Sequence, residues 1–239
     1  MTEPAPRPLD EADRLKALEA YRLMDTEPER AYDDIVELAA YICGTPIALV
    51  TLLDAERQWF KARVGLDAEQ TTRDEAFCSY TILGTDVMVV PDAAADPLFA
   101  SHPLVTAGPK IRFYAGAPLE TPSGHRLGSL CVVDLQARDL EPDQLAALQQ
   151  LARMVVDQFE LRRTTGQLAD ALQRVRTLGE LIPVCAYCRR VRDDNEYWQV
   201  LEEYLKKQVG SDVSHGICPE CYDEHFADEE TDPTPRRSA

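Results

Sequence analysis

The sequence predicts an α+β chain: an antiparallel sheet with flanking helices, a long coiled-coil-like helix, and a small cysteine-bearing C-terminal module. Three observations predict it. Apolar runs of strand character form two hairpin-like pairs, within residues 47–64 and 111–133, between segments of helical apolar spacing. A seven-residue apolar recurrence begins at Leu161. Two Cys-x-x-Cys pairs, Cys185-Ala186-Tyr187-Cys188 and Cys218-Pro219-Glu220-Cys221, follow near the end.

Taken in order, residues 1–9 are Pro-rich and expected to be disordered. Residues 10–24 form a helix, with Leu15, Leu18 and Leu23 among charges, and Asp25-Thr26-Glu27-Pro28 breaks it. Residues 29–43 form a second, with Tyr32, Ile35, Val36, Ala39, Ile42 and Cys43 on one face. Residues 47–53 make a strand, Asp54-Ala55-Glu56 its turn, and residues 57–64 the return. Residues 75–83 form a short helix and 87–90 a strand; 93–108 are irregular, with one helical turn at most. A second hairpin, 111–119 and 126–133, closes on Thr121-Pro122-Ser123-Gly124. Alternation of this kind puts the helices on one side of the sheet. A long helix then opens with Pro142 at its first position and Asp143 in its first turn. Leu145, Leu148, Leu151, Val155 and Phe159 cover the domain. Leu161, Leu168, Leu172, Val175 and Ile182, with Thr165 and Gly179 as weak members, form a seam for a second copy.

A chain of 239 residues holds one domain of ordinary size and a small one. Its net charge of −17 argues against nucleic acid and anionic membrane surfaces as partners. No window reaches the roughly 20 apolar residues of a membrane span, and the first residues lack the apolar core of a secretory signal. A cytoplasmic location is expected. Seven cysteines in an acidic chain without such a signal favour thiolates and metal over disulfides. Cys43, Cys78 and Cys131, scattered through the first domain, read as small buried hydrophobes.

Residues 14–163 resemble the GAF domains of bacterial signalling proteins. The resemblance rests on Leu15-x-x-Leu18-x-x-Tyr21-x-Leu23-x-Asp25-Thr26-x-Pro28-Glu29, Pro46-Ile47-Ala48-Leu49-Val50-Thr51, Arg57-Gln58-Trp59-Phe60-Lys61-Ala62 and Ala76-Phe77-Cys78. It continues through Ile111-Arg112-Phe113-Tyr114-Ala115-Gly116-Ala117-Pro118-Leu119 and Gly128-Ser129-Leu130-Cys131-Val132-Val133-Asp134. It implies a GAF-like sensory domain over residues 10–160, with a small-molecule pocket between a sheet face and the crossover. Members bind cyclic nucleotides, haem, bilins or other small molecules. The Asn-Lys…Phe…Asp-Glu pattern of the cyclic-nucleotide branch is absent. Candidate ligand residues are Phe77, Cys78 and Tyr80, Asp92 and Asp96, and Arg112 and Tyr114. The Arg112 guanidinium either clamps an anionic ligand or pairs with Asp92 or Asp96. Cys78 is followed by Ser79, not by the histidine common in bilin-binding relatives. The three cysteines do not reproduce the clustering of the free methionine sulfoxide reductases on this fold.

Residues 181–221 resemble a cysteine-rich segment that often ends bacterial sensor and response-regulator proteins, and the four-cysteine module is placed at residues 183–226. The match runs through Pro183-Val184-Cys185-Ala186-Tyr187-Cys188-Arg189-Arg190-Val191-Arg192-Asp193-Asp194, Tyr197-Trp198 and Ser214-His215-Gly216-Ile217-Cys218-Pro219-Glu220-Cys221. So short a module cannot bury enough apolar surface to fold unaided. Cys185, Cys188, Cys218 and Cys221 supply the four sulfurs of a closed, structural zinc site. His215 as a ligand, an iron–sulfur centre and a redox dithiol are the other readings. Residues 227–239 read as a disordered tail.

No Gly-rich phosphate loop and no His-Glu-x-x-His is present. The sequence therefore reads as a non-catalytic, dimeric sensory protein. It binds an unidentified small molecule, dimerises through a linker helix over Leu161 to Ile182, and presents a zinc-stabilised module to a signalling protein. The alternatives are a cysteine-dependent redox enzyme or sensor and a zinc-ribbon nucleic-acid adaptor.

Overall fold

The computed structural model describes residues 7–179, 184–185, 187–192, 198–210 and 216–226. Expectations for residues 1–6, Ile182, His215 and the 227–239 tail fall outside them. The chain divides into two compact units, residues 1–170 and 171–239.

The first unit opens with α1 (Glu11–Tyr21) and α2 (Arg30–Cys43). Strands β1 (Ile47–Leu53), β2 (Arg57–Val64) and β3 (Gln70–Thr72) follow. The crossover then holds α3 (Cys78–Thr81), β4 (Met88–Val90) and α4 (Pro103–Thr106). Strands β5 (Phe113–Glu120) and β6 (Arg126–Asp134) precede α5 (Pro142–Gly179). The six strands run in the order β3-β2-β1-β6-β5-β4, with antiparallel neighbours throughout.

The run Ile47-Ala48-Leu49-Val50-Thr51-Leu52-Leu53 has no polar face, and β1 is buried along its whole length between β2 and β6. Successive side chains alternate between two cores. Ala48, Val50 and Leu52 face Leu18 of α1, Ile35, Val36 and Ala39 of α2, and Leu148, Val155 and Phe159 of α5. Each such aliphatic side chain contributes about 1.5–3 kcal/mol on burial. Ile47, Leu49 and Leu53 face a second core with Phe77, Phe99, Ile111 and Tyr114. The expectation of helices on one side only is therefore corrected. The crossover folds over the other face, because a strand apolar on both sides must be covered on both. At Gly128 a Cβ would lie 1.8 Å from the Thr51 carbonyl oxygen, so only glycine lets β6 lie this close to β1.

Along α5, Leu148, Leu151, Val155 and Phe159 are buried, whereas Leu161, Leu168 and Leu172 are 59%, 60% and 56% exposed.

In the second unit β7 (Val191–Arg192) pairs with β8 (Trp198–Gln199), and Val184 bridges Val191. Helix α6 (Leu201–Val209) carries Glu202 and Glu203 in its first turn and Lys206 and Lys207 in its last, signs that suit the helix dipole. Helix α7 (Pro219–Phe226) begins on its proline.

Candidate functional site

On the crossover side of the sheet lies a cavity of about 190 Å³. Its floor is the outward row of the central strands: Ile47 and Leu49 of β1, Cys131 and Val133 of β6, and Tyr114 of β5. Its roof is Ala76, Phe77 and Cys78, with Leu104 of α4 and Ile111. Phe77 is held by a stack on Phe99 (centroids 4.2 Å apart) and by the edge of His102 at 5.0 Å.

The Tyr114 hydroxyl is fixed from two sides. It lies 2.6 Å from Thr81 Oγ1 and donates to Cys78 Sγ at 3.4 Å. Gly116, two residues along the same face of β5, makes this possible: a Cβ there would sit 2.2 Å from that hydroxyl. Cys78 Sγ and Cys131 Sγ are 3.9 Å apart. Burial raises the Cys78 thiol, but hydrogen bonds from Cys131, Ser129, Thr51 and Tyr114 outweigh it and bring Cys78 below the ordinary thiol range. Cys131, through its contact with Cys78 and its burial, and Tyr114, through burial and the nearby sulfurs, are held well above theirs.

At the β2–β3 end, Gln58 and Thr71 pair directly across the strands and both line the cavity. Gln58 is 5% exposed. Its Oε1 and the Thr71 Oγ1 are buried and, among the described residues, receive no hydrogen bond. Among the described residues, no charged side chain lines the cavity.

Of the seven predicted ligand residues, Phe77, Cys78 and Tyr114 line this cavity. Tyr80 turns the edge of its ring to Phe99, 5.2 Å away. Asp96 accepts the Leu98 amide in a local turn. Arg112 forks onto Asp92 at 2.7 and 2.6 Å, and its guanidinium holds the Asp92 carboxyl below the usual range. The two charges answer each other outside the cavity, so of the two readings of Arg112 the structure shows the ion pair. Sequence reasoning missed Gln58, Thr71 and Cys131 as lining residues. The available signal was a glutamine and a cysteine on the buried side of apolar strands.

Lys61 is buried without being a ligand. Its three protons go to Thr26 Oγ1 (2.8 Å), the Glu27 carbonyl (2.8 Å) and Glu29 Oε1 (2.6 Å), which pins the α1–α2 loop to β2.

In the second unit each cysteine pair forms a turn that aims amides at its first sulfur. The Cys221 amide lies 3.5 Å from Cys218 Sγ. The amides of Cys188 and Tyr187 lower the Cys185 thiol, and the Cys221 amide lowers Cys218. Such turns favour thiolates, the form a metal takes. Among the described residues, no three or more His, Cys, Asp or Glu side chains gather around a common point. The donor chemistry of each pair fits a metal; the convergence of Cys185, Cys188, Cys218 and Cys221 is not seen.

A six-stranded antiparallel sheet with an apolar chamber under its crossover defines a sensory α+β domain. The family of the GAF domain matches residues 27–158, and the chain belongs to that family. A cyclic di-GMP phosphodiesterase of Pseudomonas aeruginosa is 42% identical over 166 residues, which are 69% of this chain and 28% of the relative. The chain thus spans less than a third of that relative's length. The GAF domain of a phosphoenolpyruvate-protein phosphotransferase from Coxiella burnetii superimposes with a TM-score of 0.50 at 15% identity, covering 66% of this chain and 98% of that one. The PixJ GAF domain of Thermosynechococcus elongatus gives 0.48 at 12% identity, covering 71% and 96%. The phosphodiesterase corrects one expectation. A relative at 42% identity bears an enzyme's name, which points against the reading of this chain as non-catalytic. Among the described residues, no helix is long and apolar enough to cross a membrane.

Proposed function

We propose that the GAF domain of this chain senses a small, neutral, largely apolar molecule carrying one hydrogen-bonding group, and that it does so within cyclic di-GMP signalling. The observation that carries the ligand chemistry is the unpaired Gln58 Oε1 and Thr71 Oγ1 at one end of an otherwise apolar chamber. A buried polar group left without a partner costs about 1–3 kcal/mol. A ligand that donates to Gln58 recovers that cost while its body displaces water from the walls. An anion would be buried with no counter-charge, which is far less favourable. Cyclic di-GMP, with two phosphates, therefore does not suit this cavity.

The test uses N-phenyl-1-naphthylamine, which is neutral and apolar and carries one N–H. Its fluorescence should rise on binding, its sulfonated relative should compete poorly, and Gln58→Leu should weaken it about tenfold, the worth of about 1.4 kcal/mol. Ala76→Phe, which fills the chamber, should abolish binding. Dye binding unchanged in Ala76→Phe would show that the chamber is not the site.

The relative's name favours a second reading, in which the protein takes part in turning over cyclic di-GMP. Conversion of cyclic di-GMP to its linear dinucleotide by the purified chain is the measurement that decides it. We further propose a homodimer through the exposed seam of α5 and a structural zinc on the four C-terminal cysteines.

A further inference from the structure

Two thiols that the sequence places 53 residues apart meet at one wall of the cavity. Cys78 at the start of α3 and Cys131 in the middle of β6 are each 1% exposed, with their sulfurs 3.9 Å apart. We propose that Cys78 and Cys131 are a redox pair, oxidised to a disulfide by small hydroperoxides that enter the chamber, and that this oxidation is a second input to the sensory domain. The inference is independent of what organic ligand the chamber holds.

The geometry assigns the two roles. Cys78 Sγ accepts the Tyr114 hydroxyl at 3.4 Å, and Cys131 Sγ lies 3.9 Å away. The Tyr114 bond supports negative charge on Cys78, so it is the sulfur that attacks. The Cys78 thiolate takes the terminal oxygen of the hydroperoxide. The O–O bond breaks, and the alcohol or water leaves with the proton that Cys78 gave up. Cys78 is then a sulfenic acid. The Cys131 sulfur attacks it, the S–S bond forms, and the hydroxyl departs with the Cys131 proton as water. Two thiols and one hydroperoxide become one disulfide, one alcohol and one water. A dithiol reductant reverses the change.

A disulfide needs its sulfurs at about 2.05 Å. Closing the gap requires side-chain rotation and a small shift of the four-residue α3, whereas β6 is fixed between β1 and β5. The movement therefore falls on α3, and with it on Phe77 and on the bond from Tyr114 to Thr81. Oxidation reshapes the roof of the chamber. The exposed Ala68 and Pro109 form its rim, an entrance for small oxidants. Cys43 is an internal control. It is equally buried, but it lies in the core on the opposite face of the sheet, and burial pushes its thiol up to about 11.

The experiment treats the full chain with hydrogen peroxide, alkylates remaining thiols after denaturation, and maps peptides by mass spectrometry. The expected result is a peptide pair joined through Cys78 and Cys131, with loss of both alkylated forms, reversal by dithiothreitol, and Cys43 still alkylated. In Cys131→Ser, oxidation should stop at a Cys78 sulfenic acid that dimedone captures. The proposal is overturned if the wild-type chain keeps both thiols free while its C-terminal cysteines oxidise, or if Cys78 goes to sulfinic acid unlinked. The wild-type map decides even if the variant fails to fold.

Discussion

Arg14 and Arg73 are 1% and 2% exposed, and one carboxylate serves both. Arg14 forks onto Glu11 at 2.8 and 2.9 Å, and Arg73 reaches the same carboxylate and the Asp54 carbonyl. Glu11 thus ties α1 to the segment after β3. Burial raises its carboxyl, but the bonds and charges of Arg14 and Arg73 more than reverse this, down to about 2 from an ordinary 4.5. A folded value below the unfolded one means that the tie stabilises fully above pH 4.5 and is lost as pH falls from there through about 2. Glu11→Gln should therefore cost about 3 kcal/mol in denaturant unfolding at pH 7, because two buried guanidiniums lose their counter-charge. The gap to wild type should narrow steadily below pH 4.5; a gap independent of pH would contradict the assignment. Sequence alone could not show this, since Arg73 stands 62 residues from Glu11 and reads as one more surface arginine.

At the scale of elements, legibility followed apolar pattern. β1, β2, β5, β6, α2 and α5 announce themselves by runs or spacing, and each lies within a few residues of its expected bounds. β3 does not, because Gln70-Thr71-Thr72 has no apolar face and is a strand only through its pairing with β2. In the second unit β8 ends at Gln199, Val200 is extended (φ −70°, ψ 150°), and α6 starts at Leu201. The site was half legible for the same reason. Phe77, Cys78 and Tyr114 show as apolar or aromatic groups near the crossover. Arg112 draws the eye as a charge among apolar residues, and only the fold shows Asp92 already seated on it. Gln58 and Thr71 matter for lacking a partner, a property that no residue carries in sequence. The α5 seam is the most legible feature that the fold leaves uncovered. Met154 is 49% exposed, and with Leu161 and Leu168 it keeps the seven-residue step, so the stripe begins one heptad earlier than the sequence suggested. Leu168→Glu with Leu172→Glu should turn a dimer into a monomer in sedimentation without loss of helix signal, since both side chains are exposed. A monomeric wild-type chain at high micromolar concentration would dismiss the seam as an interface.

The described residues of the two units differ in how much apolar surface they bury. Residues 1–170 hold two cores on the faces of one sheet. In the second unit, among the described residues, Val191 and Gln199 alone are fully buried, while Trp198, Leu201, Ile217 and Tyr222 remain 43–59% exposed. The buried apolar surface among these described residues is small for a folded unit. The zinc proposed on the four cysteines would add to it, and the amides turned toward Cys185 and Cys218 suit thiolates. A structural zinc supplies on the order of 10–16 kcal/mol at neutral pH, enough to fold such a unit by itself. The expected behaviour is two-step. Purified chain should carry one zinc, and thermal unfolding should show separate transitions for the two units. A strong chelator, or Cys185→Ser, should remove the zinc and the second unit's transition while leaving that of the first in place. Acid should act like the chelator, because protons compete for the sulfurs. If the chain carries no metal and Cys185→Ser unfolds like the wild type, the second unit folds by its apolar contacts, and the two cysteine turns serve another chemistry.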